Sequence, residues 1–116
     1  MKTASNSRSL ANDPILQKII EVIVNTVQPD KIILFGSRAK GTHSELSDYD
    51  LLILKSGIKP EDRRPLQRKV RRELWKKGIL NVDIIIADPH HANILKSRWD
   101  LVYHDALTEG KTIYES

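Results

Sequence analysis

Apolar residues recur along this chain with two periods, and the switches between them mark its elements. Ile15, Leu16, Ile19, Ile20, Ile23, Val24 and Val27 fall on a 3.6-residue stripe, which predicts an amphipathic helix with one face on a core. Asn12 or Asp13 is placed to cap it, Pro14 sits in the first turn where a missing N–H costs nothing, and Pro29 stops it. Lys31–Phe35 is then a short apolar run ending in glycine, the pattern of a buried central strand. Gly36 to Lys40 opens a short helix that Gly41 closes; after a polar loop from Thr42 to Ser47, a second strand runs from Tyr49 to Leu54.

The second half repeats the scheme. Ser56-Gly57 makes a turn, and Glu61 to Lys77 is a helix with Leu66, Val70 and Leu74 at i, i+4 spacing, Trp75 beside them and Gly78 at its end. Asn81–Ala87 is a third strand, apolar except for Asp83. Asp88-Pro89 repeats the cap-plus-proline start, predicting one or two helices to Leu107 with a break near Asp100. Gly110 turns the chain into an extended Thr112–Tyr114. Alternating helices and strands predict an α/β (α+β) fold, a small mixed sheet flanked by helices.

Composition narrows the class. A chain of 116 residues suits one core, here expected over residues 13–116, with residues 1–12 expected as a flexible N-terminal arm. No apolar run approaches the roughly 20 residues of a membrane helix, and the N-terminus has no secretory apolar region. Cysteine is absent, which excludes disulfides, thiolate metal sites and cysteine nucleophiles and agrees with a cytoplasmic location. The net charge of +4 favours anionic partners.

Candidate chemistry gathers in GSRAKGTHSELSDYD, Gly36 to Asp50. A Gly-Ser turn opening a helix presents backbone N–H groups to a phosphate. Asp48 and Asp50, two apart at a strand start, leave the same face. Two such carboxylates about 4 Å apart repel by about 4 kcal/mol at an effective dielectric of about 20. A hard divalent cation relieves that, taking one or two carboxylates plus substrate phosphates. Asp83, the one charge in its strand, reaches the pair if the third strand lies beside the second, with Val82 and Ile84 turned to the core. Three carboxylates around two metals is the arrangement for in-line displacement at phosphorus. Each part also has a plain reading: two solvated acids, an acid paired with Arg or Lys, an ordinary turn. Their joint occurrence at strand ends is what carries the functional one.

LFGSRAKG, SDYDLLIL, VDIII and the ending EGKTIYE together resemble the minimal nucleotidyltransferase (MNT) group of the polymerase-β-type nucleotidyltransferase superfamily, over nearly the whole chain. The resemblance implies a nucleotidyltransferase fold. It implies that Asp48 and Asp50 hold two Mg²⁺ ions and the nucleotide's phosphates, and that Asp83 holds the catalytic metal and helps activate the acceptor hydroxyl. Gly36 and Ser37 would bind the β/γ-phosphates. Lys40 stands where relatives often carry arginine, keeping the charge without bidentate geometry. The group commonly acts beside a HEPN-domain ribonuclease toxin, so the resemblance implies an antitoxin that transfers AMP from ATP to a toxin tyrosine. The alternatives are neutralisation by occlusion, or transfer to a small molecule or an RNA end. A short chain also leaves the acceptor to be held by a separate protein.

Other features are read more plainly. The cations Arg63, Arg64, Arg68, Lys69, Arg71, Arg72, Lys76 and Lys77 are read as a solvated face, the alternatives being docking on an acidic partner or contact with RNA. With Trp75 as that segment's single aromatic there is no stacking platform, which disfavours direct nucleic-acid binding. His90 and His91 are surface residues, His43 is a loop residue between the turn and the acids with no role that the sequence compels, and Trp99 and Tyr103 are core or interface residues.

Overall fold

The computed structural model describes residues 13–92 and 101–116, without the side chains of residues 101–103 and 105. The N-terminal arm, the expected break near Asp100 and Trp99 lie outside these residues, as does the side chain of Tyr103. Of the two candidate caps, Asp13 is the one described: its Oδ1 accepts the Leu16 N–H at 3.0 Å, starting helix α1 (Pro14–Val27). The helix ends at Gln28, whose N–H returns to the Val24 carbonyl from a left-handed conformation. Strand β1 (Lys31–Phe35), the one-turn helix α2 (Ser37–Lys40) and strand β2 (Tyr49–Leu54) follow. Then come helix α3 (Pro60–Lys76), strand β3 (Val82–Ala87), helix α4 (Leu101–Glu109) and strand β4 (Lys111–Glu115). The extended tail is thus a fourth strand.

The sheet order is β3-β2-β1-β4. β1 pairs antiparallel with β2 and β4, while β2 and β3 run parallel. Alternation sends Ile32, Leu34, Leu51, Ile53, Val82, Ile84 and Ile86 to one face, where they pack with α1 and with Val70 and Leu74 of α3. Ile33, Leu52, Leu54 and Ala87 line the other face with Ala92 and Ala106. The α1 stripe is shifted slightly from its expected position. Val22 is buried and Ile15 is 51% exposed, because the contact face centres on Leu16, Ile19, Ile20 and Ile23. Trp75, one residue and about 100° beyond buried Leu74, is 60% exposed.

The basic helix is more than a solvated face. Arg63, Gln67 and Arg71, at i, i+4, i+8, run along the outer edge of β3. Arg63 Nε donates to the Ile86 carbonyl at 2.8 Å, and Gln67 Oε1 accepts the Ile86 N–H at 3.1 Å. Arg71 Nη2 lies 3.8 Å from Asp83 Oδ1. A free strand edge is open to unwanted pairing, and this stripe covers part of it. Asp88 caps the helical turn at Pro89, its Oδ1 accepting the His90 and His91 N–H groups, and both histidines are exposed. Among the described residues no helix is long and apolar enough to cross a membrane.

The turn from α4 into β4 presses close to β1. A Cβ at Gly110 would overlap the Ala106 carbonyl oxygen and Ile33 Cγ2, so only glycine fits there without movement. Gly110→Ala is expected to lower stability by about 1–3 kcal/mol, the usual cost of overpacking. Urea denaturation checks it, with an unchanged slope showing that the fold itself persists.

Candidate active site

One end of the sheet gathers the candidate residues. In the β1–β2 ladder Phe35 stands opposite Asp50, and in the β2–β3 ladder Asp50 stands opposite Asp83. Asp50 is therefore central, with Gly36 just beyond its partner on one side and Asp83 on the other. By alternation both acids belong to the face opposite α1 and α3. Val82 and Ile84 are buried in the larger core while Asp83 is exposed, as expected for a strand turning one acid outward.

Gly36 is required on two counts. Its φ of 74° is in the range that side-chain-bearing residues seldom adopt. A Cβ built on it would also fall against Asp50 Oδ2, with Cγ at 3.2 Å. The carboxylate occupies the space a side chain would need, so the Gly-Ser turn and the acid are one unit. Gly36 caps α2, and its carbonyl accepts the Lys40 N–H at 3.2 Å. The Ser37 carbonyl closes the far end, accepting the N–H groups of Gly41 and Thr42. Ser37 is half-buried and Lys40 exposed.

Asp48 is exposed and immediately precedes β2. Both its neighbours are held. The Tyr49 N–H donates to the Asn81 carbonyl at 2.9 Å and the Tyr49 hydroxyl donates to Asp13 Oδ2 at 2.7 Å. The Ser47 carbonyl accepts Arg38 Nε at 3.1 Å and Asn81 Nδ2 at 3.4 Å. Asp13, Arg38 and Asn81 are thus site-supporting residues; the sequence pattern marks Asp13 only as a helix cap and does not single out the other two. Their partners are backbone groups and a ring brought near by folding, and the one hint is an aromatic set between two acids. Burial pushes the Tyr49 hydroxyl up to about 12, and its hydrogen bond to Asp13 adds to the effect.

Asp48, Asp50 and Asp83 share this end of the sheet, but among the described residues no three acids or histidines stand close enough together to hold a metal ion. The donor set still suits a hard cation. It is all oxygen, it includes two register partners, and one of them lies in a glycine cradle that a Cβ would fill. Mg²⁺ commonly takes only one or two carboxylates and completes its shell with phosphate and water. Asp83 lies 3.8 Å from Arg71, so a metal ion at this carboxylate would compete with the surface ion pair. His43 is exposed in the loop.

Fold and site together define the nucleotidyltransferase class. The chain belongs to the family described as "Polymerase beta, Nucleotidyltransferase", which matches residues 17–116. A relative in Methanocaldococcus jannaschii, provisionally named a protein adenylyltransferase, is 36% identical over 86 residues, covering 72% of this chain and 57% of its own. The chain thus spans little more than half of that relative. Among solved structures, a provisionally named nucleotidyltransferase of Sulfolobus solfataricus superposes with a TM-score of 0.61 at 24% identity, covering 87% of this chain and 78% of its own. A toxin–antitoxin structure with AMP-PNP gives 0.56 at 23% identity, covering 86% and 73%. A MntA-HpeT toxin–antitoxin mutant with two aspartate-to-glutamate changes gives 0.55 at 20%, with the same coverage. At these identities the superpositions establish the shared fold.

The Tyr49 contact makes stability sensitive to alkali. An unfolded tyrosine ionises near 10, so between there and about 12 the native state holds a proton that the unfolded state has lost. Stability should therefore be unaffected by this group below that window and fall as pH rises through it, by at most about 1.4 kcal/mol per pH unit. Urea titrations from about pH 9 to about pH 11 check this, and Tyr49→Phe should remove this share of the slope.

Proposed function

We propose that this protein is a Mg²⁺-dependent nucleotidyltransferase that moves AMP from ATP to a tyrosine hydroxyl of a partner HEPN-type toxin, serving as its antitoxin. The observation that carries the reading is the register pairing of Asp50 with Asp83 beside the Gly36 turn, in a chain of this family. The relative named for adenylyl transfer to protein supports the reaction type. The toxin–antitoxin structures of similar fold, one with AMP-PNP, support the partner class and the nucleotide.

The chain's own groups have these roles. Gly36 and Ser37 offer backbone N–H groups and a hydroxyl to the β/γ-phosphates, and Lys40 adds a cation near them. Asp48, Asp50 and Asp83 are the residues that would hold Mg²⁺, which when bound supplies neutralisation of charge on the phosphates. Asp83 would take the proton of the acceptor hydroxyl. The acceptor oxygen attacks the α-phosphorus, the bond from that phosphorus to the β-phosphate's bridging oxygen breaks, and pyrophosphate leaves. The reaction joins AMP to the tyrosine oxygen.

Incubation with Mg²⁺, α-labelled ATP and the HEPN-type protein produced alongside this chain tests the reading. Label should appear on the partner, be abolished by chelation, and fall about 100-fold or more in Asp50→Asn, the scale of a lost charge-stabilising group. Absence of transfer, or transfer indifferent to Asp50→Asn, would refute it.

A further inference from the structure

Arg38 is buried to a degree unusual for arginine, its side chain 9% exposed, although it lies in a four-residue helix beside an open loop. A guanidinium in that position must find partners for its N–H groups, and those it finds lie mainly in one place. Nε donates to the Ser47 carbonyl at 3.1 Å, while Nη2 lies 3.4 Å from the Ser44 carbonyl and 3.3 Å from that of Glu45. The guanidinium carbon stands 3.9 Å above the centre of the Tyr49 ring, a cation–π contact. Nη1 is 4.0 Å from Asp13 Oδ2, the same oxygen that accepts the Tyr49 hydroxyl.

Among the described residues, the loop that Arg38 grips has few other ties to the rest of the protein. Ser44 and Ser47 close it on itself, with the Ser47 N–H on the Ser44 carbonyl at 3.2 Å and the Ser44 N–H on Ser47 Oγ at 3.0 Å. Asn81 supplies one longer bond to the Ser47 carbonyl. Arg38 thus holds the residue before Asp48 by its carbonyl and the residue after it by its ring. A planar fork does this where a lysine ammonium, a single point of charge, cannot.

We infer that Arg38 is a positioning residue: its guanidinium fixes the 44–47 turn and so places the Asp48 carboxylate beside Asp50. The inference rests on the reading of Asp48 as a ligand for the Mg²⁺-nucleotide. Arg38 touches neither nucleotide nor metal in this role; it sets how much of the binding geometry is formed in advance.

Wild type, Arg38→Met and Arg38→Lys are compared by three measurements: thermal unfolding, amide hydrogen exchange across residues 44–48, and Mg²⁺ dependence of fluorescent-ATP binding well below the unfolding temperature. Arg38→Met should speed exchange in the turn by about tenfold or more and raise the half-saturating Mg²⁺ by about 10- to 100-fold, the usual cost of losing an outer partner of a metal ligand. Excess Mg²⁺ should recover nucleotide binding, which a merely destabilised protein would not show. Arg38→Lys keeps the cation over the ring and loses the fork, so it should fall between; it also serves if Arg38→Met does not fold. Unchanged exchange in the turn, or a folded variant with the wild-type Mg²⁺ requirement, overturns the inference, as does full rescue by lysine. A wild type that binds no Mg²⁺-nucleotide would instead overturn the functional reading beneath it.

Discussion

The site depends on one close approach, that of the Asp50 carboxylate to the backbone of Gly36. β1 and β2 are antiparallel and bring Phe35 opposite Asp50, so the residue after Phe35 meets whatever side chain Asp50 carries. With a glycine there, the chain turns at positive φ into α2 while the carboxylate fills the space of the missing side chain. The candidate phosphate-binding backbone and the candidate metal ligand are thereby packed against each other as a consequence of strand register. A single added methyl would force them apart.

The rest of the fold keeps that register in place. β2 is flanked on both sides, by β1 and β3, so Asp50 cannot slip by one residue without turning Leu51 and Ile53 out of the core. The exposed edge of β3 is occupied by side chains of α3, which leaves Asp83 at the margin, shared between the site and Arg71. At the other end of the sheet, acids do a different job. Asp30 accepts the Ser56 N–H and hydroxyl, which hold its carboxyl below the usual range, and Asp88 accepts the N–H groups of Gly57, His90 and His91 to the same effect. Those carboxylates are engaged by nearby backbone and fasten loops. Asp48 and Asp83 stand exposed where a ligand can reach them.

Most of the architecture was legible from residue pattern because each element announces itself locally. The apolar strands, the Asp13 and Asp88 caps and the glycine stops act over a few residues and appear where the pattern places them, and the α1 stripe is displaced only slightly. Local pattern was less informative about margins. Ile15 and Trp75 sit at the borders of apolar stripes, and burial there depends on which way the neighbouring element leans. The fourth strand was visible only as an extended tail, since its partner β1 lies some eighty residues earlier in the chain.

By itself the amino-acid sequence determined the order of elements, the pairing of a glycine turn with two alternating acids, and a third acid alone in an apolar strand. Those are properties of spacing, and spacing survives without knowledge of neighbours. Only the tertiary structure decided that Asp50 and Asp83 are register partners, that Gly36 owes its identity to the Asp50 carboxylate, and that Arg38, Asp13 and Asn81 hold the turn bearing Asp48. The physical reason is that hydrogen bonds to backbone carbonyls and contacts with a ring place few demands on the partner's identity. They leave little mark in the sequence, and they exist only once distant segments have been brought together.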